Sequence, residues 1–371
     1  MNNYEFWEKY NKFIKGEIGR LCRTKKELYI DLHIHSNYSA DGKQNLKQIL
    51  ETTKEKGFDI IAITDHDSLN VYDELYDIVS KGVTSPIIIP GYGMQLMAYT
   101  LGGNVAHADK REYGNQCHML QLFVNPKDLV ILKDVSKNYN SMFNRSKIQF
   151  NRLKENITIK EIIKKHNIHI SYKDYESYLK KNEYIPEYDT LSFYLIEKFK
   201  EKRVTTFDIL DLLEKNNKLD PYEDRKEFKS KRYRKLREKY EVNETNKYNA
   251  RFLLSMLAVR EVDDDWWPAP ACGSLSVNSY GQLKPEEINE KYDIYFAHPT
   301  ENSLDVVDKI VKEKKNIKGL ELNIRNHYED INNFYRVLNN NKLNLIKGSD
   351  SHDASLQFYE DMEYFKIDTK D

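Results

Sequence analysis

Two histidines one residue apart end a stretch in which apolar and polar residues alternate. In residues 29–36, Ile30, Leu32 and Ile34 alternate with polar positions that include His33 and His35. Side chains two residues apart share one face of a β-strand, so both imidazoles are predicted to point the same way. With a nearby carboxylate, such a pair could form part of a metal site, although one pair alone is more typical of a surface strand.

Further histidines and carboxylates lie at the ends of other predicted strands. Two carboxylates accompany them: Asp41 follows the first pair, and Asp350 lies two residues before the last histidine. Six of the ten histidines belong to this set, namely His33, His35, His66, His118, His298 and His352. Because the carboxyl ends of parallel strands meet at one mouth of a barrel, these side chains are predicted to lie together.

The number and type of these ligands indicate what they could bind. A catalytic zinc usually takes about three protein ligands, so this set is predicted to hold two or three divalent ions. The set contains no cysteine, which favours Zn²⁺, Mn²⁺ or Fe²⁺ over softer ions. Clustered ions of this kind activate water and neutralise a phosphoryl group, which is phosphoesterase chemistry.

The elements that must position these ligands begin with a predicted strand–helix–strand unit. Residues 28–35 and 58–64 have the patterns of strands, and residues 45–56 have the pattern of a helix that ends at Gly57. From about residue 126 to 290 the sequence becomes rich in Lys, Glu, Asn and Tyr, with helical periodicity. We therefore predict an N-terminal helical extension (1–27), an α/β barrel (28–125 and 290–371) and a large, mostly helical insertion (126–289).

Composition limits the classes of protein to which the chain could belong. It has 371 residues, a formal net charge of −1 and three widely spaced cysteines. This cysteine usage excludes a disulfide framework and suits a reducing cytoplasm. No apolar run reaches about 18 residues, and no signal-peptide pattern is found, so a cytoplasmic protein without a membrane partner is predicted.

One charged segment could contact nucleic acid. Residues 225–239 contain nine basic residues interleaved with aromatic ones. Such a run could follow a phosphate backbone and stack on bases. More commonly, a run of this kind is the solvated face of a helix.

Four segments resemble the motifs of the PHP family, the polymerase and histidinol phosphatase group of metal-dependent phosphoesterases. The matching segments are residues 33–42, 63–68, 296–299 and 348–352. The resemblance implies a distorted (β/α)₇ TIM-like barrel with a three-ion centre. His33, His35 and Asp350 would hold the first ion and carry catalysis. The ligands implied for the second ion are His118 and His298, and those for the third are Asp41, His66 and His352.

The sequence departs from the family at one ligand. The family has a glutamate that bridges the first two ions in a Pro-Gly-x-Glu context. Here Gly93 takes that place after Pro90 and Gly91, or Gln95 takes it in a shifted register. The site could bind fewer ions, use a nearby carboxylate such as Glu112, or be catalytically impaired.

These observations predict a metal-dependent phosphoesterase, a hydrolase of phosphate esters, acting on a nucleic acid or nucleotide as a nuclease or phosphatase. The alternative is a catalytically impaired metal-binding module that binds a partner or nucleic acid through its insertion. Glu321, in a strand beside the mouth, could contact a ligand histidine, although a purely structural role is more common for such a residue. The remaining histidines, His107, His166, His169 and His327, are predicted to be structural or solvated. Trp266 and Trp267 could form a stacking platform or pack in a core.

Overall fold

The structure is a computed structural model. It describes residues 3–39, 42–82, 84–97, 116–155, 157–182, 184, 186, 188–215, 238, 240–250, 253, 283, 287–299, 304–314, 316–323, 331–353 and 361–369. The chain divides into two compact units, one formed by Met1–Ser141 with Gly281–Asp371 and the other by Met142–Tyr280. All nine basic residues of 225–239, both tryptophans of the 266–267 pair and His327 lie outside the described residues.

The first unit contains an eight-stranded sheet. Its strands are β1 (Glu27–Ile34), β2 (Ile60–Ile63), β3 (Ile87–Met97), β4 (Gln116–Leu122), β5 (Ile294–Phe296), β6 (Ile317–Asn323), β7 (Asn344–Gly348) and β8 (Lys366–Asp368). They are ordered β7-β6-β5-β4-β3-β2-β1-β8. The described helices of this unit are α1 (Asn3–Thr24), α2 (Leu46–Glu55), α3 (Val71–Val79), the first part of α4 (Leu129–Glu155), α9 (Leu304–Glu313) and α10 (Ile331–Asn340).

The sheet curls so that strands far apart in its order meet. Next to β7, Ser351 forms an isolated parallel bridge with Ile34 at the end of β1. The His35 backbone N–H donates to the Ser351 carbonyl at 2.9 Å, and the Asp350 N–H donates to the His33 carbonyl at 2.9 Å. The fold is therefore mixed α/β, with the first and last motifs joined through their backbones.

One strand runs against the expected direction. β1, β2 and β3 are parallel, as are β5, β6 and β7, but β4 is antiparallel to both β3 and β5. The prediction that all six histidines lie at the carboxyl ends of parallel strands is thus wrong for His118, which lies near the start of the antiparallel strand β4. An antiparallel strand begins at the edge where its neighbours end, so His118 still reaches the same edge.

Local sequence explains the elements that hold the site edge in place. All four residues of β2 are buried, as a continuous apolar run requires. α2 begins with a capping box in which Asn45 and Gln48 exchange side-chain and backbone hydrogen bonds. α1 buries Trp7 and Ile14, and its Asn11 donates to the carbonyls of Phe123 and Val124 just after β4.

The second unit is helical in its described part. Its helices are the second part of α4, α5 (Ile157–His166), α6 (Tyr172–Asn182), α7 (Tyr188–Glu201) and α8 (Thr206–Lys215). Its core is mainly aliphatic and also contains aromatic residues such as Phe150, Tyr175 and Tyr194. Its bounds lie within the predicted segment 126–289. None of the described helices of the chain is long and apolar enough to cross a membrane.

Candidate metal centre

The structure brings together the seven predicted ligands that it describes. They form three groups in which the potential ligand atoms lie within 4.8 Å of one another. The groups are His33 with His118 and His298, His35 with His66 and His352, and His33 with His35 and Asp350. The eighth predicted ligand, Asp41, lies outside the described residues.

The group on β1 and after β7 has the spacing of ligands around one ion. His33 Nε2 and His35 Nε2 are 2.9 Å apart. Asp350 Oδ1 lies 3.3 Å from the first and 3.1 Å from the second of these atoms. Ligand atoms placed about 2.0–2.2 Å from a single ion are separated by similar distances.

Two other pairings complete the site. His118 Nδ1 lies 2.8 Å from His298 Nε2. The ring of His35 stacks on those of His66 and His352, with centroids 4.2 and 4.3 Å away. The grouping implied by the resemblance is thus present for the described residues, with His33 and His35 each contributing to a second group.

Hydrogen bonds determine which nitrogen of His35 faces the site. The Ser39 hydroxyl has one proton, and its Oγ lies 3.0 Å from the buried carboxylate of Asp65, to which it donates. His35 Nδ1, 3.0 Å from the same Oγ, must then be the donor in its own contact. The lone pair of His35 is therefore on Nε2, the atom that faces His33 and Asp350.

Glu321 plays the corresponding part for His33. Its Oε1 accepts from His33 Nδ1 at 2.8 Å, and both side chains are fully buried. The structure thus shows a contact between Glu321 and the candidate ligand His33, and with Glu321 as the acceptor the lone pair of His33 lies on Nε2. A glycine makes this contact possible, because a Cβ at Gly348 would lie 2.0 Å from Glu321 Oε1 and 2.5 Å from His33 Cβ.

Burial favours the neutral form of two imidazoles of the site, those of His35 and His118. It lowers the pKa of His35 and of His118 well below the usual range, and the neighbouring histidines lower both further. Burial also raises the pKa of Glu321 well above its ordinary value, with His298 opposing that change. A neutral imidazole offers its lone pair to a metal ion, so the protonation state suits metal binding.

Two predicted ligands lie in an uncommon backbone conformation. His298 has φ 65° and Asp350 has φ 53°, both in the left-handed region. For residues other than glycine this conformation costs on the order of 1–3 kcal/mol, and it occurs often at functional sites. The Asp350 N–H bond to the His33 carbonyl holds one of them in place.

Two buried aspartates have roles that the sequence analysis missed. Asp31 accepts from the Ser349 backbone N–H at 3.0 Å and from its hydroxyl at 2.7 Å, which fixes the segment after β7. Asp65 accepts from the Ser36 N–H at 2.6 Å and from its hydroxyl at 2.7 Å, which fixes the turn after β1. Asp31 could have been found, because it lies two residues before His33 in the same alternating pattern.

The structure also shows which candidates lie elsewhere. His166 and His169 are in the second unit, and the His169 side chain is 88% exposed. His107, Glu112 and the side chain of Gln95 are outside the described part of the chain. Gly93 lies in β3 opposite Leu120, beside the site, and has no side chain to offer.

An α/β fold with three groups of potential ligands at one sheet edge defines a metal-binding class of protein. Within that class, the PHP domain model matches residues 31–211, so this part of the chain is similar to the PHP domain family. The matched residues include the histidines up to His118. The structure adds His298, Asp350 and His352 from beyond the match. Family and ligand groups together support a metal-dependent hydrolase.

Two of the solved structures that match the chain are from Bifidobacterium adolescentis and Chromobacterium violaceum. A candidate metal-dependent phosphoesterase from Bifidobacterium adolescentis is 15% identical, with 88% of each chain covered and a TM-score of 0.50. An amidohydrolase from Chromobacterium violaceum with bound sulfate is 12% identical, with 92% of this chain and 98% of that chain covered and a TM-score of 0.49. The first similarity shows a shared fold. No curated protein matches the chain.

Proposed function

We propose that this protein is a metal-dependent phosphoesterase. The observation that carries the proposal is the convergence of two imidazole lone pairs and a carboxylate. His33 Nε2, His35 Nε2 and Asp350 Oδ1 lie within 3.3 Å of one another while both Nδ1 atoms are engaged elsewhere. Three acceptors at this distance repel one another unless a cation lies between them, so the residues fit a divalent ion.

The chain's own residues would bind and orient. Two or three divalent ions, Zn²⁺, Mn²⁺ or Fe²⁺, would when bound activate a water molecule and neutralise the oxygens of a phosphoryl group. Ser39 and Glu321 hold the rings of His35 and His33 in the tautomer that presents Nε2. These two histidines would act as ligands rather than as general bases, because Nε2 faces the other ligands and Nδ1 is already donating.

For the substrate, we propose a nucleic acid or a nucleotide, in the cytoplasm. The support is the run of nine basic residues in 225–239, whose side chains could contact phosphates. We further propose that the curled sheet is the distorted (β/α)₇ barrel of the family. The bridge from Ile34 to Ser351 supports this, since it joins β1 to the segment that follows β7.

A second candidate function is a metal-binding module with impaired catalysis that binds a partner or nucleic acid. Gly93 favours it, because this residue stands where the family has its bridging glutamate and brings no carboxylate to the site. The two candidates agree on metal binding and differ in hydrolysis. They can therefore be separated by measuring the two properties independently.

The test uses metal analysis and a general phosphoesterase assay on the full chain. We expect about two or three ions per chain in the wild type and fewer in His33→Ala. Hydrolysis of p-nitrophenyl phosphate and of its bis ester with added Mn²⁺ should fall to background in the same variant. His169→Ala is the matched control, since its exposed imidazole lies in the second unit and should leave both measurements unchanged.

Each outcome selects between the candidates. Metal loss together with loss of hydrolysis in His33→Ala supports the enzyme. If the wild type binds metal but hydrolyses the esters no faster than His33→Ala, the result favours the impaired module. One ion or none in the wild type would contradict the proposed centre.

A further inference from the structure

Gly93 is attached through its backbone to the segment that carries His66. Its N–H donates to the Asp65 carbonyl at 3.1 Å, and its carbonyl accepts from the Asp67 N–H at 2.8 Å. These bonds form an isolated parallel bridge between His66 and Gly93. The position of the Gly93 backbone is thus set by the end of β2.

The space where Gly93 lacks a side chain is filled by His118. A Cβ built on Gly93 would lie 2.6 Å from His118 Nε2, 3.4 Å from His118 Cε1 and 2.8 Å from the Thr64 carbonyl oxygen. Real Cβ contacts are essentially never shorter than 3.0 Å. Any other residue at position 93 would therefore displace the imidazole, the β2 backbone or both.

No hydrogen bond to a described residue anchors the Nε2 atom of His118. The imidazole is buried, and its Nδ1 faces His298 across the site. On its Nε2 side, the ring is therefore held by close packing against the backbone of Gly93 in β3.

We propose that Gly93 is a positioning residue of the metal centre. Because Gly93 has no side chain, the imidazole of His118 can occupy the space beside β3 and is held there by close packing. This inference rests on the proposed function only for the identity of what His118 binds. It also gives a reason why position 93 has a glycine where the family has a glutamate, because a glutamate there would compete with His118 for the same space. Gly93 and His118 form a matched pair, and the centre is built without a carboxylate from this position of β3.

The first test is a double-mutant cycle on thermal stability in a chelator, where no ion contributes. Gly93→Ala should lower Tm by about 2 °C or more through overpacking. In the His118→Ala background the same change should lower Tm by clearly less. The loss that remains should come from the close contact with the Thr64 carbonyl oxygen. Gly16→Ala is the control, because Gly16 is exposed on α1 and has nothing within 4 Å of its missing Cβ.

The cycle has two outcomes. A smaller loss of Tm in the His118→Ala background supports the pairing. An equal loss in both backgrounds, or failure of both Gly93→Ala proteins to fold, would show that His118 is not the residue displaced and would overturn the proposal.

The second test measures metal binding with Zn²⁺ alone as the probe. Gly93→Ala should weaken binding of one ion by about 10-fold or more, and His118→Ala should weaken binding of the same ion. The double variant should lose no further ion, since both changes act on one ligand. Gly93→Glu should also lose that ion, whereas Gly16→Glu should keep it.

Retention or gain of Zn²⁺ by a folded Gly93→Glu protein would overturn the proposal, because it would show that a carboxylate fits there. A wild-type protein that binds no ion would instead refute the proposed function. The stability cycle would still test the pairing, because it is measured without metal.

Discussion

His33 and His35 on β1 and His118 on β4 reach the same site by different physical means. Each histidine of β1 has its Nδ1 held by a side chain, Glu321 in one case and Ser39 in the other. His118 Nδ1 lies 2.8 Å from another candidate ligand, His298 Nε2, and on the other side of the ring Nε2 has no hydrogen-bond partner among the described residues and lies against the bare backbone of Gly93.

The difference teaches that two kinds of contact position the candidate ligands of one site. A hydrogen bond to Nδ1 selects the tautomer and the orientation of the ring together. Close packing sets the place of a ring but leaves the choice of tautomer to whatever binds. Metal binding at His33 and His35, the β1 side, should therefore be sensitive to loss of the side chains that accept from Nδ1. Metal binding at His118, the β4 side, should be sensitive to added side-chain volume next to the ring.

The largest expected effect within this comparison comes from Asp350, which contacts both β1 histidines. Asp350→Ala removes the carboxylate that lies 3.3 and 3.1 Å from their Nε2 atoms. We expect binding of the ion at this group to weaken by about 100-fold or more, because a direct ligand is lost. Calorimetric titration with Zn²⁺ should show that the ion shared by His118 and His298 is retained. Equal loss of every ion would mean that the two sides are not separable.

A smaller effect is expected from Glu321, which acts on His33 through one hydrogen bond. Glu321→Ala should weaken metal binding by about 10–100-fold. Glu321→Gln keeps an oxygen that can accept from Nδ1, so its effect should be less than about 10-fold. The pair of variants is measured by the same titration. If glutamine and alanine gave the same loss, the acceptor at this position would not be what orients His33.

Much of this centre could be predicted from the sequence, because the signals are local. Period-2 alternation placed His33 and His35 on one face, and the apolar run before His66 predicted a buried strand. Spacing within residues 348–352 was sufficient to nominate Asp350 and His352. In each case a few neighbouring residues contain the information.

The remainder depends on residues far apart in the chain. The direction of β4 is determined by its pairing with β3 and β5, which no local pattern of residues 116–122 specifies. The contact between His118 and Gly93 depends on how closely two strands approach. A glycine in the sequence identifies neither the neighbour that needs the space nor the reason for it.

The smallest expected effect is a pH dependence of stability that differs between the two sides. The pKa values of His35 and His118 are lowered in the folded chain. Below about pH 6.5 the unfolded chain binds protons that these folded imidazoles do not, so stability falls as pH decreases. For Glu321, whose pKa is raised, the folded chain keeps a proton that the unfolded chain loses above about pH 4.5, so stability falls as pH increases.

The β1 side thus contains two opposing contributions, whereas His118 contributes in one direction only. In a chelator, Tm measured between about pH 5 and 8 should rise more steeply with pH in Glu321→Gln than in the wild type, because the opposing carboxyl is gone. In His118→Ala the rise should be shallower, because one imidazole that loses its proton on folding has been removed. Identical slopes in all three proteins would show that these groups keep ordinary pKa values in the folded chain. The electrostatic account of both sides would then be wrong, whereas the contacts that distinguish them would remain.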